Sequence, residues 1–200
     1  LHTELKQLGA RGLVEQLDGN WRGTLDQPET YAFKGRVRQL TIPAQNLNNV
    51  LRPGFQGLDV DFDLNQLAGK AQLVLDKGVF DAVGILEDGP VFFEQLRADV
   101  AWQRQGAALT VSGSNVRFAN ADAQGELLFK WQSATSGPGV LDLQGSLGRA
   151  EGTRVHRYLP LALDKEVRDY VRGAVLAGTA TGVKFKLKGD LARFPFADAK

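Results

Sequence analysis

The sequence contains no cysteine, no methionine and only two histidines, His2 and His156, in 200 residues. Without cysteine there are no disulfides, thiolate metal sites or cysteine nucleophiles, although an empty cysteine column does not fix the compartment. The two histidines leave little for metal or acid-base chemistry. No stretch approaches the run of about 18 apolar residues that reads as a membrane helix, and no signal-peptide pattern is present. Charge of one sign is missing too: 24 basic residues face 23 acidic ones, a net charge of +1. Such a balance offers no uniform field to nucleic acid. What remains, 43% hydrophobic and 24% charged, is the composition of one globular domain or two small ones. A start at Leu1, the lack of methionine and an end at Lys200 after a proline-aromatic turn lead us to expect a piece cut from a longer chain.

The dominant pattern is alternation, which places successive side chains on opposite faces of a strand. From Leu58 to Asn65 every even position is apolar and every odd one polar, the pattern of a half-buried antiparallel strand. Residues 183–191 and 96–103 behave likewise. Further strands are predicted at residues 13–21, 31–41, 71–75, 109–118, 124–131 and 140–147, about nine in all. The strand at 109–118 changes face across Ser112-Gly113-Ser114-Asn115, which predicts a bulge. Short glycine-rich connections at Gly19, Gly69, Gly78, Gly106 and Ser136-Gly137-Pro138-Gly139 predict a meander. In-strand Gly35, Gly125, Gly145 and Gly189 are expected to bend strands sharply. Helix is scarce. Asp164 caps a predicted helix over 165–172 whose stripe of Val167, Tyr170, Val171 and Ala174 has to dock on something. A turn at 155–159 ends at Pro160, and residues 1–8 form another short helix in this reading.

Nine strands about 4.8 Å apart and some ten residues long give a sheet face on the order of 1,200 Å². A twelve-residue helix shields roughly 180 Å² of it. Most of the apolar face is therefore left over, which predicts a sandwich, a closed barrel or a curled trough that holds an apolar ligand.

Chemical constellations are sparse. Asp59, Asp61 and Asp63 alternate as in a calcium loop, but Leu64 and Lys70 stand where glycine and glutamate are needed. A solvated strand face explains them, and the same face argues against a two-carboxylate glycosidase. Lys184, Lys186 and Lys188, and likewise Lys34, Arg36 and Arg38, form rows that suit either anionic surfaces or protection of a sheet edge, the second reading being favoured. His156 among Arg154, Arg157 and Tyr158 reads as a packing or capping residue. Ser112, Ser114 and Ser146 lie in no nucleophile elbow, and no phosphate-cradling loop occurs. Trp21, Trp102 and Trp131 fall in strands, where core packing is the default. Catalytic residues, metal ligands and cofactors are expected to be absent.

The stretch Arg154-Val155-His156-Arg157-Tyr158-Leu159-Pro160-Leu161, then Asp164, Glu166 to Tyr170 and Gly182 to Phe196, resembles the AsmA-like envelope proteins of the YhdP type from Gram-negative bacteria. Matches at Pro53 to Leu58, Phe62-Asp63 and Val116 to Leu127 support it. The resemblance implies a segment of a long periplasmic protein anchored in the inner membrane, built of stacked β-sheet modules and associated with phospholipid movement to the outer membrane. Read together, these lines predict a mainly β chain: a long antiparallel meander strongly curled into a trough or groove, with two or three short helices. Residues 1–200 form one segment, with a module boundary near 150–178 and a further strand at 182–192. Its expected function is to carry phospholipid acyl chains along an apolar groove, the alternative being a structural or assembly module that supports outer-membrane biogenesis without binding lipid. The lining candidates are Leu58, Val60, Phe62, Leu64, Leu73, Leu75, Leu96, Val100, Trp102, Leu109, Val111, Leu127, Phe129, Trp131, Val183, Phe185 and Leu187. Expected partners are phospholipid acyl chains and neighbouring modules of the same chain, not nucleic acid, with membrane contact only through parts outside the segment.

Overall fold

The computed structural model describes residues 8–24, 28–47 and 50–193. The short helix expected over residues 1–8 (all but Leu8), His2 and the segment from Phe194 to Phe196 lie outside them. Alternation dictates the architecture. Long strands run as β1 (Arg11–Gly23), β2 (Pro28–Ile42), β5 (Gly54–Asn65), β6 (Ala68–Asp81), β7 (Pro90–Gln105), β8 (Ala108–Ala119), β9 (Ala123–Gln132) and β10 (Val140–Glu151). A small ladder of β3 (Gln45–Leu47) and β4 (Val50–Arg52) interrupts the series. After β10 come a 3₁₀ segment (Gly152–Tyr158), helix α1 (Lys165–Ala174), β11 (Thr179–Ala180) and β12 (Val183–Asp190). The long strands and β11 form one ten-stranded sheet in the order β1-β2-β5-β6-β7-β8-β9-β10-β11, with β12 also on β10. Every pairing is antiparallel.

Because directly opposed residues in such a ladder share a face, the register sorts the side chains. One cross-sheet row reads Leu17, Gly35, Phe62, Ala71, Val100, Gly113, Phe129, Leu143, Leu187. Another reads Leu40, Leu58, Leu75, Leu96, Phe118, Gly125, Leu147, Val183. The opposite face carries Asp18, Lys34, Asp63, Lys70, Ala101, Ser112, Lys130, Asp142, Lys188. The predicted bulge is present: register shifts between Gly113 and Val116, and Asn115 takes φ 50. That extra residue returns Val116 and Phe118 to the apolar face.

The sheet is a single open layer, and the expected strong curl into a trough or groove is corrected. Its edges, β1 on one side and β11 with β12 on the other, do not pair with each other, so no barrel closes. The strands approach their ladder neighbours and form no second layer, which removes the sandwich. The accessible surface is 13346 Å², against about 9,300 Å² for a compact monomer of this mass. Leu75 is the largest fully buried side chain, and the true core is confined to Leu58, Leu75, Val91, Val116 and several alanines.

Of the glycines expected within strands, Gly35 lies opposite Phe62, Gly125 opposite Phe118, Gly145 opposite Phe185 and Gly189 opposite Leu141. Gly19 and Gly69, expected in connections, instead lie inside β1 and β6 opposite Phe33 and Trp102, and Gly113 faces Phe129. A methyl group built on Gly69 would lie 2.2 Å from Trp102 Cζ2, and one on Gly113 2.1 Å from Phe129 Cε1. At Gly69 and Gly113 the missing side chain leaves room for a ring to lie across the neighbouring strand.

Candidate interaction surfaces

All the lining candidates, from Leu58 to Leu187, fall on the apolar face by register. Leu58, Leu75 and Val116 are buried there, whereas Phe62, Leu64, Val100, Trp102, Phe129, Trp131, Phe185 and Leu187 stay partly exposed. The face is continuous yet forms no groove. Four surface hollows open on the other side. One of about 560 Å³ is lined by Gln16, Lys34, Arg36, Asp61, Lys70 and Ser112 among others, and one of about 500 Å³ by Arg117, Glu126, Gln144, Ser146, Lys184 and Lys186 among others. Conveyance of phospholipid acyl chains along an apolar β-groove is therefore corrected as well, because the sheet is open and not strongly curled, so the groove it requires is absent.

On the polar face Asp59 and Asp61 of β5 are engaged with their neighbours. Arg38 Nη1 donates to Asp61 Oδ1 at 2.5 Å, Arg36 Nε lies 3.4 Å from Asp61 Oδ2, and the Gln39 amide donates to Asp59 at 2.9 Å. The hydrogen bond to Asp61 raises the Arg38 guanidinium above its ordinary range. Asp59 and Asp61 thus brace a bulge around Gln39 (φ 51) rather than flank a substrate. Among the described residues no group of three or more His, Cys, Asp or Glu is placed to hold a metal ion, and no helix is long and apolar enough to cross a membrane.

A polar cluster at one end of the sheet escaped the sequence reading. Asn120 turns the chain from β8 to β9, its Oδ1 accepting from the amides of Asp122 and Ala123 at 3.0 and 2.7 Å. Its Nδ2 donates to the Tyr158 hydroxyl at 2.9 Å, which in turn donates to Asp122 Oδ2 at 3.0 Å. Arg157 spans Asp122 at 2.5 Å and Asp88 at 2.8 Å. Asn120 and Asp122 are buried, so these partners satisfy groups that would otherwise be costly to desolvate. Burial, reinforced by Asp122, pushes the Tyr158 phenol up to about 12. Burial lowers Arg157, but its bond to Asp88 and the charge of Asp122 outweigh that and raise it. His156 contributes its carbonyl, which accepts from the Leu159 amide at 3.2 Å. The available signal was the Asn-x-Asp turn at 120–122 together with Arg157-Tyr158; periodicity cannot join residues so far apart.

The cluster pins the 3₁₀ segment, and a second contact pins α1. Glu87 accepts from Arg168 and, at 2.9 Å, from Arg172 Nη2. The Arg168 hydrogen bond holds the Glu87 carboxyl below its ordinary value. The helix is thus held by its charged side, while Val167 and Tyr170 of its apolar stripe are exposed. Asp164 occupies the cap position but makes no side-chain capping bond.

Among the described residues both sheet edges are open. Every residue of β1 is exposed, Leu13, Val14, Leu17 and Trp21 included, and the far side of β12 faces solvent across eight residues, Val183–Asp190.

No curated protein and no solved structure matches the chain. A family model described as YhdP protein matches residues 1–200. That match covers the stretches around Arg157-Tyr158, the 116–127 turn and β12 that carried the resemblance in sequence, and the chain accordingly belongs to the YhdP family of AsmA-like proteins, a non-catalytic family of the bacterial cell envelope.

Proposed function

We propose that the chain is a structural segment of a periplasmic protein anchored in the inner membrane through parts outside it, supporting outer-membrane biogenesis as an assembly module. Its partners in this reading are neighbouring modules of the same long protein, joined edge to edge. One observation carries the reading: an apolar row runs across the whole sheet from Leu17 on β1 to Leu187 on β12, a second reaches β12 at Val183, and among the described residues both backbone edges are open. An open edge of this length is a template for another strand. A layer without a closed core gains stability with each strand added, because every new strand buries part of the apolar row beside it.

Hydrogen exchange tests this on a longer product that includes the flanking sequence. The outward-pointing amides of β1 and β12 exchange freely in the 200-residue chain and become protected in the longer one. Equal exchange in both products would sink the proposal.

A further inference from the structure

We infer that the polar-face hollow at the β8–β12 end of the sheet is a binding site for a phosphoryl-bearing anion. This goes beyond the structural reading and does not depend on it. The hollow, about 500 Å³, is lined by Arg117, Lys184 and Lys186 and by one carboxylate, Glu126, with Ser146, Gln144 and Asn115 supplying uncharged polar groups. In the ladder one row runs Arg97, Arg117, Glu126, Ser146, Lys184. Arg117 and Lys184 therefore stand three strands apart, about 14 Å, with only the short Ser146 and Glu126 between them. Two further hollows, about 380 and 340 Å³, adjoin along the same face, and both include Arg117 in their lining.

Charge distinguishes this hollow from its neighbour under β1–β8, where Lys34, Arg36 and Lys70 meet Asp61, Asp63 and Asp99 in equal number. Here three cations face a single carboxylate. Lys188, next along β12, is neutralised by Asp142 at 3.1 Å. Among the described residues, Arg117, Lys184 and Lys186 have no ion pair. Arg97 is directly opposite Arg117, a like-charge juxtaposition that costs free energy in a ladder; among the described residues its ion-pair partner is Asp76 at 3.6 Å, and the Gln95 side-chain oxygen accepts from its guanidinium. A phosphoryl group above Ser146 would offset that repulsion and accept charge-assisted hydrogen bonds from Arg117, Lys184 and Lys186. Glu126 opposes the same anion, and this supplies a diagnostic sign.

The test uses the 200-residue chain, labelled for NMR, titrated with inorganic pyrophosphate, and in parallel flotation with vesicles of phosphatidylglycerol in phosphatidylcholine against phosphatidylcholine alone. Support is a response localised to Asn115, Arg117, Ser146, Lys184 and Lys186, or flotation that requires phosphatidylglycerol. Pyrophosphate alone indicates a soluble ligand, and vesicles alone a lipid headgroup. In either arm Lys184→Gln with Lys186→Gln weakens binding about tenfold or more, and Glu126→Gln strengthens it several-fold. Circular dichroism confirms that each variant is folded; should the lysine pair fail to fold, Glu126→Gln and Lys184→Gln alone decide. The inference is overturned if neither probe binds, if the response spreads equally over Lys34, Arg36 and Lys70, or if Glu126→Gln leaves affinity unchanged. Lys184 and Lys186 would then be guards of an open edge.

Discussion

Gly113 faces Phe129 across the β8–β9 ladder so closely that any side chain at 113 displaces the ring, since a methyl group there lies 2.1 Å from Cε1. Gly113→Ala is expected to destabilise the chain by about 1–3 kcal/mol in urea unfolding. Adding Phe129→Leu should recover part of that loss, because the two changes act on one contact. The same residue scale governs Tyr158. With its phenol held up to about 12, the folded state keeps a proton that the unfolded chain gives up near 10. Its contribution is therefore fully present below pH 10 and lost as the pH rises toward 12. Tyr158→Phe should remove that component, so the stability difference between wild type and variant narrows across this window when both are unfolded at each pH. Alternation made the facing of single residues legible; it could not reveal that in-strand glycines serve rings on the next strand, because that partner is set by register.

At the scale of elements, α1 is attached through charge. Glu87→Gln should free it, giving faster exchange and proteolysis over residues 161–178 while the sheet unfolds at nearly the same denaturant concentration. The carboxyl sits below its ordinary 4.5, so docking is present above that value and is lost as the pH falls through the lowered one. Exchange measured from pH 6 down to pH 3 should therefore show the wild-type helix converging on the variant. Strand existence was readable along most of the sheet, but extents were not. β6, expected at 71–75, runs Ala68–Asp81, and β7, expected from 96, begins at Pro90. Lys77 at φ 52 and the adjacent Val91-Phe92-Phe93 run break the alternation on which the bounds rested.

The molecule as a whole is an open layer whose last strand, β1, leaves Leu13 62%, Val14 56% and Leu17 58% exposed. Such an edge invites pairing. Concentration-dependent association of the isolated chain is expected in sedimentation velocity, and Leu17→Lys should weaken it by placing a charge in the apolar row, with no loss of secondary structure.

Period-two patterning by itself determined that this chain is an antiparallel meander with one apolar and one charged face, and the candidate apolar side chains share one face in the ladder, because that information is local. Curvature, the seating of rings over glycines, the polar cluster around Asp122 and the side on which hollows open were decided only in three dimensions. Each depends on which residue of a distant strand stands opposite, and that choice belongs to the assembled ladder.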